Sequence, residues 1–239
     1  MKSTKMSGVI AFSALVLGLA VSASASTITF STSDGQKVNG YLPVNAQVTL
    51  TTLTNQISVT INNLQTKISN IDQTITGVSF ALDSLKTSTT ISSSAGLERT
   101  VNSNRSFVDG AVVPTGWLIL LDGQSMQLML PDGNTKHSII GPASGTKYTN
   151  ADSSIAGSWS NNPFLFGPVT FVIPIAGVTP STKVDWATFH FGNCAEYVQA
   201  CNVLVPEPGT LTLAGMAVVC GAVLVRRRAA NARRDLKCN

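Results

Sequence analysis

Histidine and cysteine are scarce in this chain of 239 residues, and their positions decide which chemistry is open to it. His190 alternates with Phe189 and Phe191 in "TFHFG", so on a strand it takes the face opposite those rings and is predicted to be solvated. His137 sits beside Lys136 in a polar turn region and reads as a surface residue. No nucleophile elbow is present, because "GQSMQ" lacks the second glycine. Neither H-E-x-x-H nor a phosphate loop appears. Asp109, Asp122 and Asp132 are each followed by glycine, which suits tight turns better than calcium ligation. No cofactor and no metal is expected, and no catalytic residue is assigned. A carboxylate pair for glycoside hydrolysis meets only in three dimensions, so a secreted hydrolase stays as a second alternative.

Cys194 and Cys201 have six residues between them in "FGNCAEYVQACNV", with no second Cys or His pair at ligand spacing. In an oxidising compartment a disulfide is expected, and an unstrained eight-residue loop contributes about 2.5 kcal/mol. Trp117, Trp159 and Trp186, with Tyr41, Tyr148 and Tyr197, can stack on sugar rings where they are exposed. Trp159 is the candidate, because "GSWSNNP" is polar on both sides, although core packing is open to it too. Trp117 and Trp186 fall in strand-like runs and are expected in the core.

The elements that must carry these residues are strands. Residues 26–204 are rich in Thr, Ser, Asn, Val and Ile. Period-2 alternation recurs in "QVTLT", "QISVTIN", "GVSFALD", "SMQLMLP" and "PVTFVIP". Asp-Gly pairs at Asp34-Gly35, Asp109-Gly110, Asp122-Gly123 and Asp132-Gly133 mark hairpin turns. A competing 4-3 spacing of apolar residues runs from Ile57 to Leu85, but the residues between are mostly Thr, Ser and Asn, poor in helix interiors. A short helix or turn near Ile68–Ile75 fits better. The fold expected is mainly β, an antiparallel, jelly-roll-like β-sandwich with Pro142, Pro163 and Pro174 at strand ends. The polar stretch from Ser88 to Val113 is expected to hold the longest loops.

Charge separates the middle of the chain from its ends. Residues 26–204 hold eight basic and ten acidic side chains, a net of −2, with no basic stripe, which excludes nucleic acid. Lys2 and Lys5, an apolar run from about Val9 to Val21, and small residues at Ala23 and Ala25 before Ser26 have the layout of a signal peptide over residues 1–25, a signal helix cut after Ala25. Thirteen apolar residues reach only about 20 Å as a helix, short of a span of ~30 Å. Residues 205–239 begin with Val205, Pro206, Glu207 and Pro208, a rigid extended tether. Thr210–Val225 follow without a charge, about 24 Å as a single transmembrane helix, marginal unless flanking arginines snorkel. Arg226, Arg227 and Arg228 then stop transfer, and the basic tail 226–239 stays cytoplasmic.

That ending resembles the PEP-CTERM sorting domain of Gram-negative bacteria, proposed substrates of membrane proteases called exosortases. The tail "AANARRDLKCN" runs further past the arginines than similar tails do. The resemblance implies an exosortase-type partner that reads the Pro-Glu-Pro, a transient stay in the inner membrane, and association with exopolysaccharide and the cell surface. "HSIIGP", "SIAGSWSNNPF", "GPVTFVIPIAGVTPST" and "ATFHFGN" resemble segments of uncharacterised secreted proteins with the same ending, which implies a shared β-rich fold and no activity. The expectation is a non-enzymatic, structural or adhesive protein of the surface or extracellular matrix. The first alternative is a carbohydrate-binding module, which an exposed aromatic platform on one sheet face would favour.

Overall fold

The computed structural model describes residues 25–84, 86–193 and 197–203, apart from the side chains of 202 and 203. The signal segment up to residue 24, Cys194, and the whole of residues 205–239 lie outside the described residues. Among the described residues no helix is long and apolar enough to cross a membrane.

Alternation becomes one-sided burial where the sequence predicts strands. In β4 (Ala46–Leu53) and β5 (Gln56–Asn63), Val48, Leu50, Ile57, Val59 and Ile61 are fully buried, each worth roughly 1.5–3 kcal/mol. Their outward neighbours form hydroxyl ladders. Thr29 of β1 (Ser26–Thr32) lies 3.1 Å from Thr49, and Thr60 lies 2.9 Å from Thr170 of β12 (Phe164–Pro174), hydroxyl to hydroxyl. These cross-strand pairs hold the outer face of that half of the sheet.

Between β5 and β6 (Ile75–Leu82) stands one 3-10 turn, Ile71–Gln73, capped by Asn70. Three small strands complete the supports: β2 (Lys37–Val38) and β3 (Leu42–Pro43) form a separate ribbon, and β11 (Ile139–Ile140) is buried. The rest are β7 (Ser93–Val101), β8 (Phe107–Val113), β9 (Leu118–Asp122), β10 (Ser125–Met129), β13 (Val184–Phe191) and β14 (Tyr197–Val203).

The chain is mainly β, but the two separate sheets of a jelly-roll sandwich do not form. A single twelve-stranded sheet runs β8-β7-β12-β5-β4-β1-β14-β13-β6-β10-β9, and β11 pairs parallel with β12 and antiparallel with β6. Eight strands, β12 through β6 and back by way of β11, thereby close in a barrel-like arrangement. Two long-range contacts cause this. β1 and β14, distant in sequence, pair from Thr29–Val203 to Thr32–Ala200 and join the halves on one side. On the other, the buried Asn63 side chain donates to Gln73 O at 2.8 Å and Ile139 O at 2.9 Å, tying β5, the turn and β11 together. Neither contact has a signature in local alternation.

Three local expectations are also corrected. Ser88–Val113 is not mainly loop: β7 and β8 occupy most of it, because Gly96, Arg99 and Val101 turn inward. Asp109-Gly110 is not a turn, since Asp109 is held within β8 by Arg99 of β7 at 2.6 and 2.8 Å. His137 is half-buried rather than a free surface residue, its Nε2 lying 2.9 Å from Glu98 Oε1 and its Nδ1 3.0 Å from Thr115 O.

Candidate functional site

The outer face of β14, β13, β6, β10 and β9 carries the arrangement with most chemical capacity. In β13, Ala187, Phe189 and Phe191 enter the core, so Trp186, Thr188 and His190 point out. In β6, Val78 and Phe80 enter the core, so Gly77 and Ser79 point out. Register sets these residues in two rows. His190 lies between Tyr197 and Gly77, and Gly77 is opposite Met129. Thr188 lies between Gln199 and Ser79, and Ser79 is opposite Gln127.

His190 faces outward as the alternation requires, yet it is buried, not solvated. The absent side chain of Gly77 makes room beside it: a Cβ there would stand 3.3 Å from His190 Cγ and 2.9 Å from Met129 Cβ. Tyr197 covers the ring edge-on, with centroids 4.5 Å apart, and Ser79 Oγ shares a 2.7 Å hydrogen bond with His190 Nε2. Burial lowers the imidazole pKa to about 4, so the ring is neutral at neutral pH. Trp186, expected in the core, is half-exposed on this face, because Ala187 rather than Trp186 takes the inward position.

Two cavities flank Tyr197, which is itself 62% exposed. One of about 430 Å³ is lined by His190, Leu130, Asp132, Asn134 and Tyr197 among others, within the ~300–1,000 Å³ usual for ligand sites. The other, of about 240 Å³, is lined by Tyr197, Trp186, Ser79, Gln127 and Asp122 among others. Among the described residues, no Lys or Arg lines either cavity. Together they make a polar groove with an aromatic ring at its middle.

A second polar cluster looks reactive but is closed. Arg99 is buried, grips Asp109 with two nitrogens, donates to Tyr148 Oη at 3.3 Å, and lies between the rings of Phe107 and Phe166 at 3.9 and 3.3 Å. Those hydrogen bonds hold the Asp109 carboxyl below the usual carboxylate range. Tyr148, its hydroxyl pKa raised by burial, donates to Gly141 O at 2.7 Å. Every group here is spent on another protein group.

The residues singled out from sequence scatter. Trp159 is 86% exposed in the loop before β12, flanked by Ser158 and Ser160, and lines neither cavity of the groove. Cys201 is exposed, its Sγ 3.1 Å from Ser33 Oγ, while Cys194, its expected disulfide partner, lies outside the described residues. Among the described residues, no three of His, Cys, Asp and Glu gather as a metal site. Ala25 is exposed and Ser26 opens β1. Sequence reasoning missed the groove, whose one local signal is that Trp186, Thr188 and His190 share a face.

The chain's outward end is as informative as its face. β14 is held by β13 over Tyr197–Gln199 and by β1 over Ala200–Val203. The family model of the PEP-CTERM protein-sorting motif matches residues 204–228, starting at the next residue. The chain carries a PEP-CTERM sorting motif. The motif indicates an exosortase-sorted extracellular protein that passes the membrane on its way to the cell surface, with an exosortase as processing partner. No curated protein and no solved structure matches the chain.

Proposed function

We propose that this chain is a non-enzymatic, structural or adhesive component of the cell surface or exopolysaccharide matrix, released there by cleavage at its PEP-CTERM motif. The observation that carries the reading is the sorting motif at residues 204–228, which follows directly on β14, the last described strand. A cut near Glu207 leaves every strand pairing among the described residues in place. A signal-peptide cut after Ala25 likewise leaves β1 whole from Ser26. Between those events Thr210–Val225 holds the chain in the inner membrane, with Arg226–Arg228 on the cytoplasmic side.

The test is the location and C-terminal mass of the protein in its native host, for wild type and for Pro206→Ala/Pro208→Ala. Wild type is expected outside the cell and shortened near Glu207, with the double variant full-length in the inner membrane. Two full-length, membrane-held proteins would make the tail an ordinary anchor and remove the matrix role.

A carbohydrate-binding module is the second reading, favoured by one observation: the Tyr197–Trp186 groove on the outer sheet face. It supplies the adhesive contact that the first reading needs. Trp159, exposed in its loop, is a further candidate for sugar stacking outside that groove.

A further inference from the structure

We propose that the groove on the outer face of β14, β13, β6 and β10 binds a neutral polysaccharide chain across two subsites that meet at Tyr197, with Tyr197 and Trp186 as the stacking rings. The proposal deepens the carbohydrate-binding reading and rests on it.

Tyr197 is an exposed aromatic ring that is already fixed. Its edge-to-face contact with the buried His190, itself held by Ser79, sets the orientation of the ring before any ligand arrives. A preset ring loses little rotamer freedom on binding, and its electron-rich face suits the C–H face of a pyranose. Trp186 lies four residues from His190 along β13, about 13 Å at strand rise. A chain of linked rings reaches both aromatics, whereas a single sugar does not.

The polar lining suits hydroxyl groups. The cavity that both rings line is also lined by Ser79, Thr188, Ser125 and Gln127, side chains that both donate and accept. Asp122 and Asp132 supply acceptors at the two ends, Asp122 already taking a hydrogen bond from Gln127 Nε2 at 3.2 Å. With carboxylates at both ends and no Lys or Arg among the described lining residues, a uronate or phosphate polymer meets like charge. The neutral state of His190 adds no counter-charge for such a polymer. An extended peptide is disfavoured differently. The groove lies on a sheet face, whose backbone groups are spent in the β ladders, so a peptide would find no main-chain partners.

The experiment is affinity electrophoresis of the processed protein from its native host through gels containing soluble neutral glucans, mannans and galactans, with polygalacturonate as the acidic polymer. At least one neutral polymer is expected to retard the protein, and polygalacturonate is not. Tyr197→Ala should weaken that retardation about tenfold in apparent Kd. Trp186→Ala should also weaken it, and Tyr197→Phe should keep most of it. An unfolding midpoint for each variant separates lost binding from lost folding. The proposal is overturned if no neutral polymer retards the protein, if polygalacturonate retards it as strongly, or if folded Tyr197→Ala and Trp186→Ala both bind like wild type. A protein that is cleaved and exported yet binds nothing sinks the groove and spares the sorting route; a protein that binds glucan yet stays in the membrane does the reverse.

Discussion

Arg99 and His190 are both buried, both titratable, and both packed against aromatic rings, yet they sit in opposite kinds of surroundings. Around Arg99, three hydrogen bonds and two aromatic faces hold the guanidinium against Asp109 and Tyr148, out of reach of a ligand. Around His190, one ring nitrogen is held by Ser79 while the residue lines an open cavity beside an exposed tyrosine. The first arrangement fixes β7, β8 and the Tyr148 loop relative to one another. The second leaves polar capacity facing solvent, and that makes it the better candidate for a ligand.

The comparison can be broken by experiment, and the largest effect belongs to the closed cluster. Arg99→Met leaves Tyr148 and Asp109 without their donor. A loss of about 3 kcal/mol in urea unfolding is expected, at the low end for a broken buried pair because Asp109 is partly exposed. A loss below about 1 kcal/mol would show that Arg99 holds nothing together.

The next effect is a pH dependence carried by His190. Its folded pKa, about 4, lies below the unfolded value near 6.5, so between those values the unfolded chain binds the extra proton. Stability therefore rises with pH, and falls as pH drops below about 6.5 until about pH 4. From pH 7.5 to pH 5 the wild type should lose roughly 2 kcal/mol through this group. His190→Gln should flatten that part of the profile. An unchanged profile in the variant would mean the ring is solvated after all.

Ser79→Ala removes the partner of a buried nitrogen and should cost about 1 kcal/mol in the same unfolding measurement. The smallest effect is expected at the rim of the groove: Tyr197→Ala should change stability by no more than about 0.5 kcal/mol, since the ring is mostly exposed. A large destabilisation there would make Tyr197 a structural lid over His190 and erase the contrast with Arg99.

Much of the local structure was legible. "QVTLT", "QISVTIN" and "SMQLMLP" became β4, β5 and β10, and Asp122-Gly123 turns the β9–β10 hairpin with Gly123 at φ +60°. The short turn near Ile68–Ile75 is the capped 3-10 turn at Ile71–Gln73. Pro163 precedes β12 and Pro174 ends it. His190 shows where this kind of reading stops: period 2 named its face correctly, but its burial depended on Tyr197, Ser79 and Gly77 arriving from other strands. Asp109 fails for the same reason, since Arg99 competes for it and the pair meets only across a strand pairing.

By itself, the sequence determined the β character of the chain and the sorting motif at residues 204–228. Both are properties of consecutive residues: alternation at the strand period, and a Pro-Glu-Pro, an apolar run and an arginine cluster in fixed order. The tertiary structure decided the closure of the sheet through β1–β14 and β11, the buried state of Arg99 and His190, and the groove at Tyr197. Each of these depends on which strand lies beside which. A side chain's own neighbours in sequence can say which face of a strand it takes, but its burial and partners come from residues far along the chain.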